Sequence, residues 1–262
     1  MTERLGRFER QASLVPAEQL SKQDIWVVGC GAVGRNVALH LASMGATKIT
    51  LVDFDEVEPT NITTQGWRQD QLYMSKVEAL RDDVLAIDSS IKVVIHNRRW
   101  NIVDGLGTAG FICVDSISTR EFIWKACGKE FDRPEFLVDM RTLGELGKVL
   151  TAPATAQFDA HYDASFFAES ETEPGMCTAR LTIYSATIAA GMACHQFARW
   201  LRGGETDHEV RWSLLASEMD VPRLIGPAPT SKVTPAKPRK AVAPMTPKAK
   251  RRKNAKKVAK KT

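Results

Sequence analysis

An α/β fold is what this 262-residue sequence predicts: a doubly wound, mostly parallel sheet with helices on both faces, followed by a disordered basic tail. Three observations carry that expectation. A short apolar run leads into a glycine turn and then into apolar residues at helical spacing. Apolar runs and amphipathic stretches go on alternating through the first half. Near residue 227 the composition changes abruptly.

The first strand is the apolar run Ile25–Val28. The turn Gly29-Cys30-Gly31-Ala32-Val33-Gly34 follows, and Val37, Ala38, Leu41 and Met44 mark one face of a helix that Gly45 is placed to end. Ile49, Thr50, Leu51 and Val52 form a second strand ending in Asp53. Val77, Leu80, Val84 and Ile87 mark a second helix, residues 93–95 a third strand, and residues 111–114 a fourth, ending at Asp115. The longest uncharged stretch, residues 181–198, contains Thr182, Tyr184, Ser185, Thr187, His195 and Gln196, so it reads as a buried helix and not as a membrane span. Such alternation gives a Rossmann-like sheet with its ligand at the carboxyl ends of the strands.

Charge divides the chain in two. The formal net charge is +5, but residues 230–262 hold thirteen of the 36 Lys and Arg and no Asp or Glu, leaving a balance of −8 before them. From Pro227 onward there are six of the twelve prolines and no aromatic residue, a composition that cannot bury enough apolar surface to offset chain entropy. The expected units are therefore an α/β domain over residues 1–226 and a disordered Lys/Pro/Ala-rich tail over 227–262. The tail is a candidate for salt-sensitive, nonspecific nucleic-acid contact. Five cysteines without a Cys-x-x-Cys pair argue against a disulfide framework or a paired-cysteine zinc site, and the charged N-terminus does not read as a signal peptide. A cytoplasmic protein with no membrane partner is expected.

The turn Gly29-x-Gly31-x-x-Gly34 lets backbone approach a phosphate and aims helix N-terminal amides at it, while Asp53 ends the next strand where a ribose hydroxyl would be bonded. That combination predicts a nucleotide site. It leaves open which nucleotide, and a nicotinamide-dependent dehydrogenase is the rival.

Downstream residues separate the two. Arg7-Phe8-Glu9-Arg10-Gln11, the glycine turn, the run from Ile49 through Asp53 and Asp55 to Val57, Thr60-Asn61, Ser75-Lys76-Val77-Glu78-Ala79, and Val114-Asp115-Ser116 with Arg120 occur in this order. The ordered series resembles the ThiF/MoeB/E1 superfamily, whose members adenylate the C-terminal glycine of ubiquitin-like and sulfur-carrier proteins. The resemblance implies ATP and Mg²⁺, with Lys76 neutralising phosphate charge and Asp115 holding the metal. It implies that Asn61 bonds phosphates or ribose, and that Asp53 and Asp55 serve the ribose and metal side. Arg10 would reach the triphosphate of a neighbouring subunit, which implies a homodimer. A dehydrogenase explains none of Asn61, Lys76 or Asp115.

One position departs from the family pattern. Where the family usually carries a phosphate-binding arginine this chain has Thr64, and Arg68 is the candidate replacement. Among the cysteines, Cys30, Cys113, Cys127 and Cys194 read as buried. Cys177 lies in the polar, Pro- and Gly-containing segment before the long helix, with Arg180 near enough to favour a thiolate, and is the candidate for acyl or sulfur transfer. Two alternatives stay open: an E1-like enzyme acting on a small or tRNA-linked carboxylate, and a catalytically degenerate nucleotide- or partner-binding subunit.

Overall fold

The computed structural model describes residues 6–130, 132–153, 156–166 and 182–222. The boundary expected at residue 226, the tail and Cys177 lie outside the described residues. The strands are β1 Ile25–Val28, β2 Lys48–Asp53, β3 Lys92–Asn97, β4 Ala109–Ile112, β5 Phe136–Leu143, β6 Leu146–Pro153, β7 Glu209–Ser213 and β8 Glu218–Asp220. The α-helices are α1 Ala17–Ser21, α2 Ala32–Met44, α3 Pro59–Gln65, α4 Lys76–Ile87, α5 Ile117–Ala126, α6 Ala156–Asp163 and α7 Ile183–Leu201.

All eight strands join one sheet in the order β3-β2-β1-β4-β5-β6-β7-β8. The pairs from β3 to β5 are parallel, and those from β5 to β8 antiparallel. Connections run one way from β1 to β2 and β3 and the other way to β4 and β5, so the crevice beyond Val28, Val52 and Ile112, which share one register, is the switch point where α/β sheets bind ligands. The central strands are apolar on both faces because helices cover both. Strand β4 stops at Ile112, two residues short of the expected end. Its partner Val28 is the last residue of β1 before the glycine turn, and only the Cys113 N–H bond to the Val28 carbonyl, at 2.8 Å, extends the pairing.

One face of the sheet carries α2, α4 and α7. The small side chains of Ala186, Ala189, Ala190 and Ala193 on α7 are fully buried and allow close approach to α2, while Phe197 fills the space over Phe111 and Phe136. Burying a phenylalanine of this kind contributes about 2–3 kcal/mol. On the other face α5 and α6 bring Trp124, Phe158 and Tyr162 together. As expected, Gly45 ends α2 in a left-handed conformation, φ 102°. Among the described residues no helix is long and apolar enough to cross a membrane.

Candidate functional site

A cavity of about 1260 Å³ occupies the switch point and extends along the carboxyl ends of β5 and β7 and the amino end of β6 between them. The glycine turn forms its inner lip. Gly29 has φ +93°, and a Cβ there would sit 2.8 Å from the Cys113 carbonyl and the Val114 nitrogen. A Cβ at Gly34 would lie 1.8 Å from the Gly29 carbonyl oxygen, so this glycine is what lets α2 start against the turn. At Gly31 the only neighbour within 4 Å would be Gln65 Oε1 at 3.9 Å; the missing side chain leaves backbone open to the cavity. Asp53 fixes the turn, its two oxygens accepting the Cys30 N–H at 2.5 Å and the Asp55 N–H at 2.8 Å. Burial pushes the Asp53 carboxyl up, opposed by those two amides and by the Lys76 charge.

Lys76 reaches the same wall from α4. An isolated bridge pairs Glu56 with Ser75, Ser75 caps the helix, and the Lys76 N–H donates to the Asp55 carbonyl at 2.9 Å. Its buried ammonium pairs with Asp55 Oδ2 at 2.9 Å, while the Asp55 carboxylate stays half-exposed. Asp115 lies exposed on the opposite lip, beyond β4. Among the described residues no three His, Cys, Asp or Glu gather into a metal cage. Two cavity-facing carboxylates suit a Mg²⁺ held jointly with phosphate oxygens, the manner in which that ion is usually bound. Asn61 also lines the cavity, and its Oδ1 accepts the Glu58 N–H at 3.1 Å, closing the first turn of α3.

Other expected residues are not brought here. Arg68 is absent from the cavity wall: it forms an ion pair with Asp70 at 3.1 Å and another with Asp83, which also holds Arg35. Thr64 does line the cavity, but its hydroxyl donates to the Thr60 carbonyl of its own helix. Arg10 stands exposed on the 3₁₀ turn Glu9–Gln11, which Gln11 ties to the end of α2 through the Met44 carbonyl at 3.1 Å. Cys30 and Cys194 are buried, and Cys113 and Cys127 half-buried. Burial pushes all four thiols up, Cys127 and Cys194 to about 12, which removes the thiolate needed for nucleophilic work. Asp159 pairs with Arg133, His161 with Glu209, and Asp163 accepts from Trp124, so this segment gathers no ligand set.

Sequence reasoning missed the arginines after β3. The register sets Asn97 beside Asp53, which brings residues 98–100 to the cavity mouth. Arg98 is held bidentately by the buried Asp104. Arg99 instead lies over the Phe54 ring, 3.9 Å from its centroid, and has no carboxylate partner among the described residues. Two arginines following a predicted strand were the available signal.

The far wall is also cationic. Arg120, deeply buried, pairs with Asp139 and donates to the Val114 carbonyl; burial and Arg141 bring its guanidinium down to about 10, which keeps it charged near neutrality. Asp139 also accepts from Arg141 and from the Tyr162 hydroxyl, each at 2.8 Å. Burial pushes the Glu209 carboxyl up, but Arg211, Lys148 and His161 outweigh it and hold it below its ordinary value.

Known proteins resemble this chain. Ubiquitin-like modifier-activating enzyme 5 of Caenorhabditis briggsae is 26% identical over 235 residues, 81% of this chain and 54% of that protein. Adenylyltransferase and sulfurtransferase MOCS3 of Aedes aegypti is 30% identical over 134 residues, 47% of this chain and 31% of that protein. The chain thus spans from about a third to about half the length of these relatives. Of solved structures, PaaA is similar with a TM-score of 0.66 at 20% identity, covering 84% of this chain and 82% of that one. Escherichia coli MccB with ATP gives 0.64 at 15% identity, covering 83% and 71%. These two likenesses establish the fold. The model of the ThiF family matches residues 7–228, a span that includes the glycine turn, both walls of the cavity and the long helix, and the chain belongs to that family.

Proposed function

We propose that this chain is an ATP-dependent, E1-like adenylyltransferase that activates the C-terminal carboxylate of a ubiquitin-like or sulfur-carrier protein. The observation that carries this reading is Lys76, a buried ammonium held 2.9 Å from Asp55 on the wall of a cavity whose other lip is the glycine turn. Relatives named as an activating enzyme and an adenylyltransferase support it, as does a neighbour solved with ATP.

In this reading the substrate carboxylate attacks the α-phosphorus of ATP, forming an acyl adenylate and releasing pyrophosphate. Two anions must meet, so catalysis is positioning and charge neutralisation. Amides around Gly31 bind phosphate, Asp53 bonds the ribose besides holding the turn, and Asn61 contacts ribose or phosphate. Lys76 turns from Asp55 toward phosphate oxygens, and Arg99, which lines the cavity over the Phe54 ring, would supply the charge that Thr64 lacks. Mg²⁺, held by Asp115 with Asp55 at hand, would screen the charge on the departing pyrophosphate. Arg10 would act across a homodimer, and the Cys177 thiolate would take the acyl group from the adenylate as a thioester, breaking the acyl–phosphate bond and releasing AMP. The free thiols among the described cysteines fit a reducing cytoplasm.

ATP–pyrophosphate exchange with candidate carriers ending in glycine tests the reading: exchange is expected, and its absence with every carboxylate offered would defeat it. The self-bonded Thr64 and the diverted Arg68 favour one second reading, a degenerate partner-binding subunit, for which nucleotide binds and no exchange occurs. Deleting residues 230–262 should leave exchange intact and remove any salt-sensitive binding of RNA.

A further inference from the structure

Three cations stand directly opposite one another on adjacent antiparallel strands: Arg141 of β5 faces Lys148 of β6, which faces Arg211 of β7. Directly opposed residues share a face of the sheet, and like charges so placed are destabilising. The carboxylates two residues along β5 and β7, Asp139 and Glu209, do not balance the row. Asp139 is taken by Arg120, Arg141 and Tyr162, and Glu209 bonds Arg211 at 2.5 Å and His161 at 2.6 Å, with Lys148 left at 3.9 Å. That is beyond hydrogen-bond reach, and Lys148 has no other polar partner among the described residues. Asp220 of β8 stands directly opposite Arg211, so the four Lys and Arg side chains on this wall of the cavity that holds the glycine turn share three carboxylates, and Lys148 is the one that none of them bonds, with Leu146 and Trp212 beside it. An excess of positive charge in a half-buried wall is a place prepared for an anion.

We propose that the Arg141–Lys148–Arg211 row is a second anion subsite of the cavity, and that the activated substrate carries an acidic side chain in the segment leading to its C-terminus, which binds Lys148. This names a substrate class, a peptide or protein C-terminus preceded by Asp or Glu, and it rests on the adenylation reading. The competing source of the anion is a phosphate of the nucleotide itself.

The test uses the full chain with α,β-methylene-ATP and two hexapeptides that end in a free glycine carboxylate and differ only in carrying three glutamates or three glutamines, with a three-lysine peptide as control. The glutamate peptide should bind about tenfold more tightly than the glutamine peptide. Lys148→Gln should abolish that preference, and Lys148→Glu should reverse it toward the lysine peptide. Affinity for α,β-methylene-ATP should stay within about twofold in Lys148→Gln, and its melting temperature should not fall, because the substitution relieves like-charge crowding. The proposal is overturned if the wild type shows no glutamate preference, if no peptide binds at millimolar concentration, or if Lys148→Gln keeps the preference. A loss of nucleotide affinity with peptide binding intact also overturns it, assigning the row to phosphate. Pyrophosphate exchange keeps the two readings apart. Lys148-dependent peptide binding without any exchange removes adenylation and leaves the subsite, whereas exchange indifferent to residue 148 does the reverse.

Discussion

The Lys76–Asp55 pair is asymmetric, and the two ways of breaking it should differ. The ammonium is 7% exposed and the carboxylate 47%. At 2.9 Å the bare Coulomb attraction is roughly 6 kcal/mol for an effective dielectric of about 20 and about 1.4 kcal/mol in bulk water. Solvent on the Asp55 side places the pair near the lower figure, about 2 kcal/mol. Lys76→Met frees a carboxylate that hydrates in place, so the loss of stability should be about 1 kcal/mol or less. Asp55→Asn strands a buried ammonium and should cost about 1–3 kcal/mol. The double variant should recover part of that loss, giving a coupling of about 2 kcal/mol by urea denaturation. Activity orders the variants otherwise. Lys76→Met should lower kcat/KM for pyrophosphate exchange by roughly 10²–10³, the range for removal of a preorganised charge from a transition state. Lys76→Arg keeps the charge and should recover only part of it. Exchange within about threefold of wild type in Lys76→Met, or a larger stability loss in Lys76→Met than in Asp55→Asn, would refute the reasoning.

Three further comparisons separate structure from chemistry. Gly34→Ala places a Cβ against the Gly29 carbonyl and should cost about 3 kcal/mol in a denaturant melt, whereas Gly31→Ala should leave stability within about 0.5 kcal/mol and weaken ATP binding at least tenfold; similar effects from both would contradict the geometry. Arg99→Ala should reduce exchange by about tenfold or more with little change in melting temperature, and Arg68→Ala should do the opposite because the buried Asp83 would lose one of its two cationic partners. At pH 8 a thiol with a pKa of about 12 is thiolate in about one molecule in 10⁴. Native protein should therefore take up iodoacetamide quickly at one site, and Cys177→Ser should abolish that label; two or more fast labels would show the described thiols to be reactive.

The parallel half of the fold was legible because its signals are local. A strand, a glycine turn, helical spacing and a strand-end aspartate lie within thirty residues, and Gly29, Gly31, Gly34 and Asp53 take the places in the turn that the pattern implies. Lys76 and Asp115 were legible through their neighbours, since a Ser cap sets the start of α4 and a strand end sets the other lip. Arg68 was misplaced because nearness to Thr64 in sequence says nothing about the buried Asp83, whose two oxygens claim Arg35 and Arg68 from another helix. Arg99 left only the signal of two arginines after a predicted strand, and Lys148 and Arg211 left none. Their positions depend on the pairing register of β3 with β2 and of β6 with β5 and β7, which single-chain periodicity does not fix.

The same cases show what decides whether a cation in this cavity is available to a ligand. Arg98, Arg120 and Arg141 face Asp104 or Asp139, and each of these carboxylates is almost wholly buried. Removing the cation from such a partner leaves an uncompensated charge in a low dielectric, a cost of several kcal/mol that no incoming phosphate contact would exceed by much. Lys76 faces a half-exposed Asp55, Arg99 an aromatic ring, and Lys148 a carboxylate 3.9 Å away that is already bonded twice. These three can turn to an anion and leave nothing stranded. Whether a buried acid would be left without a partner, more than the position of the base, thus separates the cations that hold this fold from those free to act, and it selects Lys76, Arg99 and Lys148 from a cavity wall lined with arginine and lysine.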